Sequence, residues 1–168
     1  VTNEDPTDRT SDALPDDERS GDGSGSLLLD DQLCFALYAA QRAVTAAYRP
    51  LLDELGLTYP QYLVLLVLWE RGETSIKELA TALRLDYGTL SPLLKRLEAA
   101  GLVRRERSPS DERSVLVAVT GRAVALRERA RCVPGALLTA AGLSGDEVAR
   151  LRGELRRLAE RAEAAQRR

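Results

Sequence analysis

Two thiols and five phenols carry most of the chemistry this chain can perform. Cys34 and Cys132 are its only cysteines, and it has no histidine. Without imidazole the sequence lacks the usual general base and the commonest metal ligand. Two cysteines alone make a poor zinc site, so no metal and no cofactor is expected. They are also too few for the disulfide framework of a small secreted scaffold. In a reducing compartment they are expected to rest as thiols, and any disulfide between them would be transient and redox-sensing. A free cysteine is more often an inert core residue. Residue type alone therefore leaves Cys34 open between packing and sensing.

The elements that must position these groups follow from periodicity. The chain has 168 residues and is 44% hydrophobic, enough for one domain with a core. No apolar run is long enough to cross a bilayer, and no charged segment precedes a signal-like apolar run. The expected location is cytoplasmic. Residues 1–26 are rich in Asp, Ser, Gly and Pro, and residues 1–25 carry a net charge of −6, leaving +4 for the rest. Such a segment cannot bury enough surface to offset its chain entropy, so it reads as a disordered acidic tail.

From Leu27 the pattern becomes helical. Leu33, Leu37, Ala40, Val44, Ala47, Leu51 and Leu55 share one face. Asp30 or Asp31 is the expected cap, Pro50 the expected kink and Gly56 the end. This spacing puts Cys34 three or four residues into the helix, where exposed N–H groups favour an anion. Thr58-Tyr59-Pro60-Gln61 and Ser75-Ile76-Lys77-Glu78 are capping boxes that start two further helices. After the turn Leu85-Asp86-Tyr87-Gly88, another helix follows with Leu90, Leu93, Leu94 and Leu97 on one side. Two short helices joined by a brief turn are a helix-turn-helix. Leu102–Arg107 and Ser114–Val119 then read as strands around the turn Ser108-Pro109-Ser110-Asp111-Glu112. The fold class is mainly α with a small β-wing, a winged helix-turn-helix over 58–119. Thr120 caps a long helix interrupted near Pro134-Gly135, with Cys132 just before the break. Ser144-Gly145-Asp146-Glu147 opens the last helix. The flanking segments 27–57 and 120–168 are too apolar for the small core and are expected to be dimerisation helices.

At this point several stretches resemble one family. Gln32-Leu33-Cys34-Phe35-Ala36-Leu37-Tyr38, Tyr48-Arg49-Pro50-Leu51-Leu52, Leu57-Thr58-Tyr59-Pro60-Gln61-Tyr62 and Gly88-Thr89-Leu90-Ser91-Pro92-Leu93-Leu94-Lys95-Arg96-Leu97-Glu98 resemble the OhrR-type organic-hydroperoxide sensors of the MarR family. The wing Asp111-Glu112-Arg113-Ser114 resembles the wider family. The resemblance covers about residues 27–165. It implies that Cys34 is oxidised by organic hydroperoxides and that a homodimer then leaves a palindromic DNA operator. It implies that Tyr48 and Tyr59 hydrogen-bond the Cys34 thiol from the opposite subunit, with Tyr38 one turn after the cysteine. It also implies that Cys132 forms an intersubunit disulfide with oxidised Cys34. A bystander Cys132, with Cys34 capped by a small cellular thiol, is the alternative.

On the DNA side, the helix from Tyr87 to Ala99 is expected in the major groove. Thr89 and Ser91 face bases or phosphates, while Lys95 and Arg96 suit phosphates. Arg113 at the wing tip is expected in a minor groove, oriented by Asp111. Arg104, Arg105 and Arg107 are further candidates for phosphate contacts. Tyr87 stands where relatives often have serine, so base contacts from that position do not carry over. Two other functions compete. A repressor released by a phenolic or other small ligand would not need Cys34. A thiol peroxidase would use Cys34 and Cys132, but leaves the helix-turn-helix and wing without a purpose.

Overall fold

The computed structural model describes residues 26–109, 111 and 113–166. The expected acidic tail, apart from Ser26, lies outside the described residues. The chain divides into two compact units, 1–41 and 42–168.

A 3-10 turn at Leu29–Asp31 precedes helix α1, Leu33–Asp53, whose residues up to Gln41 belong to the first unit and the rest to the second. Asp31 does not cap α1 as expected, because its carboxylate accepts the Ser26 hydroxyl at 2.5 Å. Gln32 ties the entry instead, its Nε2 donating to the carbonyls of Ser26 at 2.7 Å and Leu28 at 3.1 Å. Its own carbonyl accepts the Ala36 N–H, the first bond of the α1 ladder. Helix α1 thus starts at Leu33, and Cys34 is its second residue rather than its third or fourth.

Helix α1 runs on through Pro50, and the chain turns at Gly56, whose φ of +69° suits a residue without Cβ. The Leu57 N–H reaches back to the Leu52 carbonyl and closes that turn. Helix α2, Tyr59–Arg71, begins with Gln61 accepting the Thr58 backbone N–H at 2.8 Å. Helix α3, Ile76–Leu83, has the full reciprocal box, with Ser75 Oγ accepting from Glu78 N–H and Glu78 accepting from Ser75 N–H. Helix α4, Tyr87–Ala99, is capped by Asp86.

Strands β2, Val103–Arg107, and β3, Val115–Val119, form the expected wing, each one residue shorter than the sequence pattern suggested. A third strand escaped the sequence reading: β1, only Thr74–Ser75, pairs antiparallel with β3 and makes the sheet order β1-β3-β2. Two residues carry too short a pattern to register as alternation. Helix α5 spans Gly121–Ala130, α6 Val133–Ala141 and α7 Gly145–Gln166. The break after the wing therefore falls at Arg131-Cys132, ahead of the expected Pro134-Gly135. Pro134 occupies the first turn of α6, where its missing N–H costs nothing.

One core cluster fills the second unit. Val64, Leu65 and Leu68 of α2 meet Leu79 of α3, Leu90, Leu94 and Leu97 of α4, Val117 of β3 and Ala123 of α5. The Trp69 indole N–H donates to the Ala123 carbonyl at 3.1 Å, tying α2 to α5. Leu94 is fully buried, so Leu94→Ala should cost about 2–5 kcal/mol. Denaturant unfolding should show this as a lower midpoint with little change in slope.

Candidate functional site

The outward side of α4 follows from its buried side. With Leu90, Leu93, Leu94 and Leu97 inward, Tyr87, Thr89, Lys95 and Arg96 are exposed and Ser91 is half-buried. Thr89 is engaged in the cap: Asp86 Oδ1 accepts its N–H at 2.8 Å and Asp86 Oδ2 its hydroxyl at 2.8 Å. Those bonds hold the Asp86 carboxyl below its usual range. The Thr89 proton is thus committed within the helix start, leaving its oxygen lone pairs as the outward polar group.

The wing arginines separate into two groups. Arg105 is held by Glu98 of α4, with Nε donating at 2.9 Å and Nη2 at 2.5 Å. This pairing lowers the Glu98 carboxyl and raises Arg105. Arg104 lies 3.5 Å from Glu73 and 3.2 Å from Glu106. Both are therefore paired within the fold, Arg105 the more buried of the two and Arg104 more than half exposed. Residues on adjacent elements, such as Glu98 and Glu73, are invisible partners in a linear reading. Arg107 and Arg113 are exposed. Asp111 accepts the Arg113 backbone N–H at 3.0 Å, so it shapes the turn rather than gripping the guanidinium.

The thiols are both free and exposed. Cys34 sits in the first turn of α1, and Phe35 and Tyr38 of the same unit have ring centroids 6.5 Å apart. Cys132 lies at the start of α6, its Sγ donating to the Arg129 carbonyl at 3.2 Å.

In the second unit, Tyr48 and Tyr59 come together, with ring centroids 5.0 Å apart. Tyr62 joins them at 6.1 Å from Tyr48 and stacks edgewise on Trp69 at 6.4 Å. Tyr62, to which the sequence pattern gave no role at the site, lies in the core. It is buried there, but its phenol also belongs to this cluster. Burial raises the pKa of all three phenols, and the neighbouring phenols raise Tyr48 and Tyr62 further. Cys132 adds the smallest electrostatic contribution to the rise at Tyr62. At neutral pH these are protonated phenols, donors suited to an anion.

Comparison with known proteins bears on both sites. The MarR family model matches residues 57–115. The chain is 48% identical over 132 residues to the organic hydroperoxide resistance transcriptional regulator of Bacillus subtilis, covering 79% of this chain and 90% of that protein. The chain belongs to the MarR family. Among solved structures, overoxidised AbfR bound to DNA superposes with a TM-score of 0.66 at 35% identity, over 80% of this chain and 94% of that one. Reduced AbfR bound to DNA gives 0.64 at 35% identity, over 80% and 93%. AbfR comes from Staphylococcus epidermidis. The winged helix-turn-helix assignment holds, and this MarR-family chain is a transcriptional regulator.

The raised phenols have a measurable consequence. A phenol that ionises later in the fold than in the unfolded chain adds stability at pH values below the unfolded pKa. That contribution is lost as pH rises through the folded value. Alkaline titration by phenolate absorbance should show a class ionising above the ordinary phenol value of 10.0. Tyr59→Phe should shrink that class and weaken the alkaline loss of stability.

Proposed function

We propose that this regulator is a redox-sensing repressor that leaves its operator when an organic hydroperoxide oxidises Cys34. The carrying observation is the convergence of Tyr48, Tyr59 and Tyr62 on one protonated cluster. Tyr48 and Tyr59 are the two phenols that the family resemblance assigns to the sensing thiol. In that resemblance they reach the thiol from the opposite subunit.

A second copy also suits the exposed apolar groups. Leu33, Tyr38 and Val44 of α1 are exposed, as are Leu151 and Leu155 of α7, a helix with no buried residue of its own. A homodimer covers such stripes and presents two α4 helices to the half-sites of a palindrome. In each half, α4 enters the major groove with Lys95 and Arg96 on phosphates, and Arg113 follows a minor groove.

The chemistry balances without a cofactor. The Cys34 thiolate, favoured by the helix start and the partner's phenols, attacks the outer peroxide oxygen. The O–O bond breaks, Cys34 becomes a sulfenic acid and the hydroperoxide leaves as its alcohol. The Cys132 thiol of the other subunit then attacks the sulfenic sulfur, the S–S bond forms and water departs. A disulfide needs Cα atoms within about 7 Å. The helices bearing the two cysteines move to meet that limit, and the two reading helices lose their common spacing. AbfR has been solved on DNA both reduced and overoxidised. This supports assigning release to the crosslink rather than to sulfur oxidation alone.

Gel shifts on the DNA upstream of its gene test this reading. Wild type should lose about a hundredfold in affinity after treatment with an organic hydroperoxide, roughly 2.7 kcal/mol of coupling, and regain it with reductant. Cys34→Ser should stay bound under all conditions. A Cys34→Ser protein still released by a small ligand would instead establish the ligand-responsive alternative. On non-reducing gels Cys132→Ser should lose the dimeric band; a band that persists rules out the Cys34–Cys132 bond.

A further inference from the structure

The turn of the helix-turn-helix holds a residue in an unexpected conformation. Arg84, which ends α3, has φ +54° and ψ +40°. It is the single non-glycine with positive φ among the described residues, where Gly56, Gly72, Gly101 and Gly142 fill the other such positions. A residue with a Cβ enters this left-handed region only at a cost, and glycine is the usual choice after a helix. Arginine also brings a charged side chain to this position. Its Nη1 lies 2.6 Å from Oε1 of Glu163, near the far end of α7.

That ion pair crosses a gap. Arg84 borders an open groove of about 490 Å³ whose other wall is the α7 face of Val148, Leu151, Leu155 and Arg156. Helix α7 has no buried residue and is entered through Gly142, itself at φ +64°. An exposed ion pair across the groove therefore joins it to the turn. Such a joint can open without exposing a core.

We propose that Arg84 and Glu163 form a latch that fixes α7 to the turn preceding the reading helix. It thereby holds the two reading helices of the dimer at their DNA-competent spacing. Arg84 and Glu163 are positioning residues. Loosening the latch lets α7, a helix offered to the partner subunit, shift without carrying α4 along. This inference rests on the proposed repressor reading.

Operator binding by fluorescence anisotropy on the reduced full-length protein tests it. The set is wild type, Glu163→Gln, Arg84→Glu, the exchange Arg84→Glu/Glu163→Arg, and Arg84→Gly. Both partners are about half exposed, with side-chain exposures of 58% and 44%. Each pair is then individually weak, and two pairs per dimer should give a loss of about 3–10-fold in Glu163→Gln. Arg84→Gly keeps the turn conformation while removing the guanidinium, so it should lose affinity without losing thermal stability. The charge exchange should recover affinity to within about twofold of wild type. Glu163→Gln binding as wild type overturns the latch. An exchange variant no better than Arg84→Glu also overturns it, and assigns Arg84 to a phosphate instead. Wild type that binds no operator overturns the repressor reading itself, an outcome distinct from failure of the latch.

Discussion

The leucine stripe of α4 is the constraint on which the rest of the molecule depends. Leu90, Leu94 and Leu97 have essentially no exposed surface, and Leu93 has little. Each buried leucine stabilises by about 1.5–3 kcal/mol, so turning α4 about its axis would expose several at once. Its orientation is thus a property of the core. Everything outward on α4 inherits that orientation, from Tyr87 at its first turn to Lys95 and Arg96. Asp86 fixes where the helix starts, and hence which N–H groups and side chains lead toward a groove.

Charge is arranged around the same frame. Glu98 sits on α4 and holds Arg105 of β2, so the wing is tethered to the reading helix by charge-assisted hydrogen bonds. Glu73 and Glu106 take up Arg104. The arginines nearest the wing base therefore serve the fold. The outward cations lie farther along, at Lys95, Arg96, Arg107 and Arg113. A net acidic chain can present a cationic face because its carboxylates neutralise the inner arginines and its N-terminal stretch holds much of the remaining negative charge.

The tyrosine cluster joins the core to the chemistry. Tyr62 is buried against Trp69, and Tyr48 and Tyr59 pack on the same core. Burial keeps their phenols protonated and fixes their rings, which makes them rigid donors. Their position is set by the packing that stabilises the domain.

Sequence alone determined the order of elements, because each carried a local signal: Ser75 with Glu78, Ser144 with Glu147, Asp86 before α4, and the leucine spacing of α4. Composition left Cys34 and Cys132 as the only thiols, and the family resemblance made them redox candidates. Local signals failed where a second partner decided the outcome. Asp31 carries the right side chain to cap α1, yet Ser26 takes it, which moved Cys34 one turn position earlier. Pro134 looked like the point of interruption, but proline is tolerated in a first turn, so the break fell before it and put Cys132 at a helix start. Arg104 and Arg105 looked alike with Arg107 until the sheet and α4 brought Glu73 and Glu98 beside them. The convergence of Tyr48, Tyr59 and Tyr62, and the Arg84–Glu163 contact across seventy-nine residues, belong to the tertiary structure alone. Capping and periodicity act over one or two turns, whereas pairing charges and stacking rings between elements depends on how those elements pack.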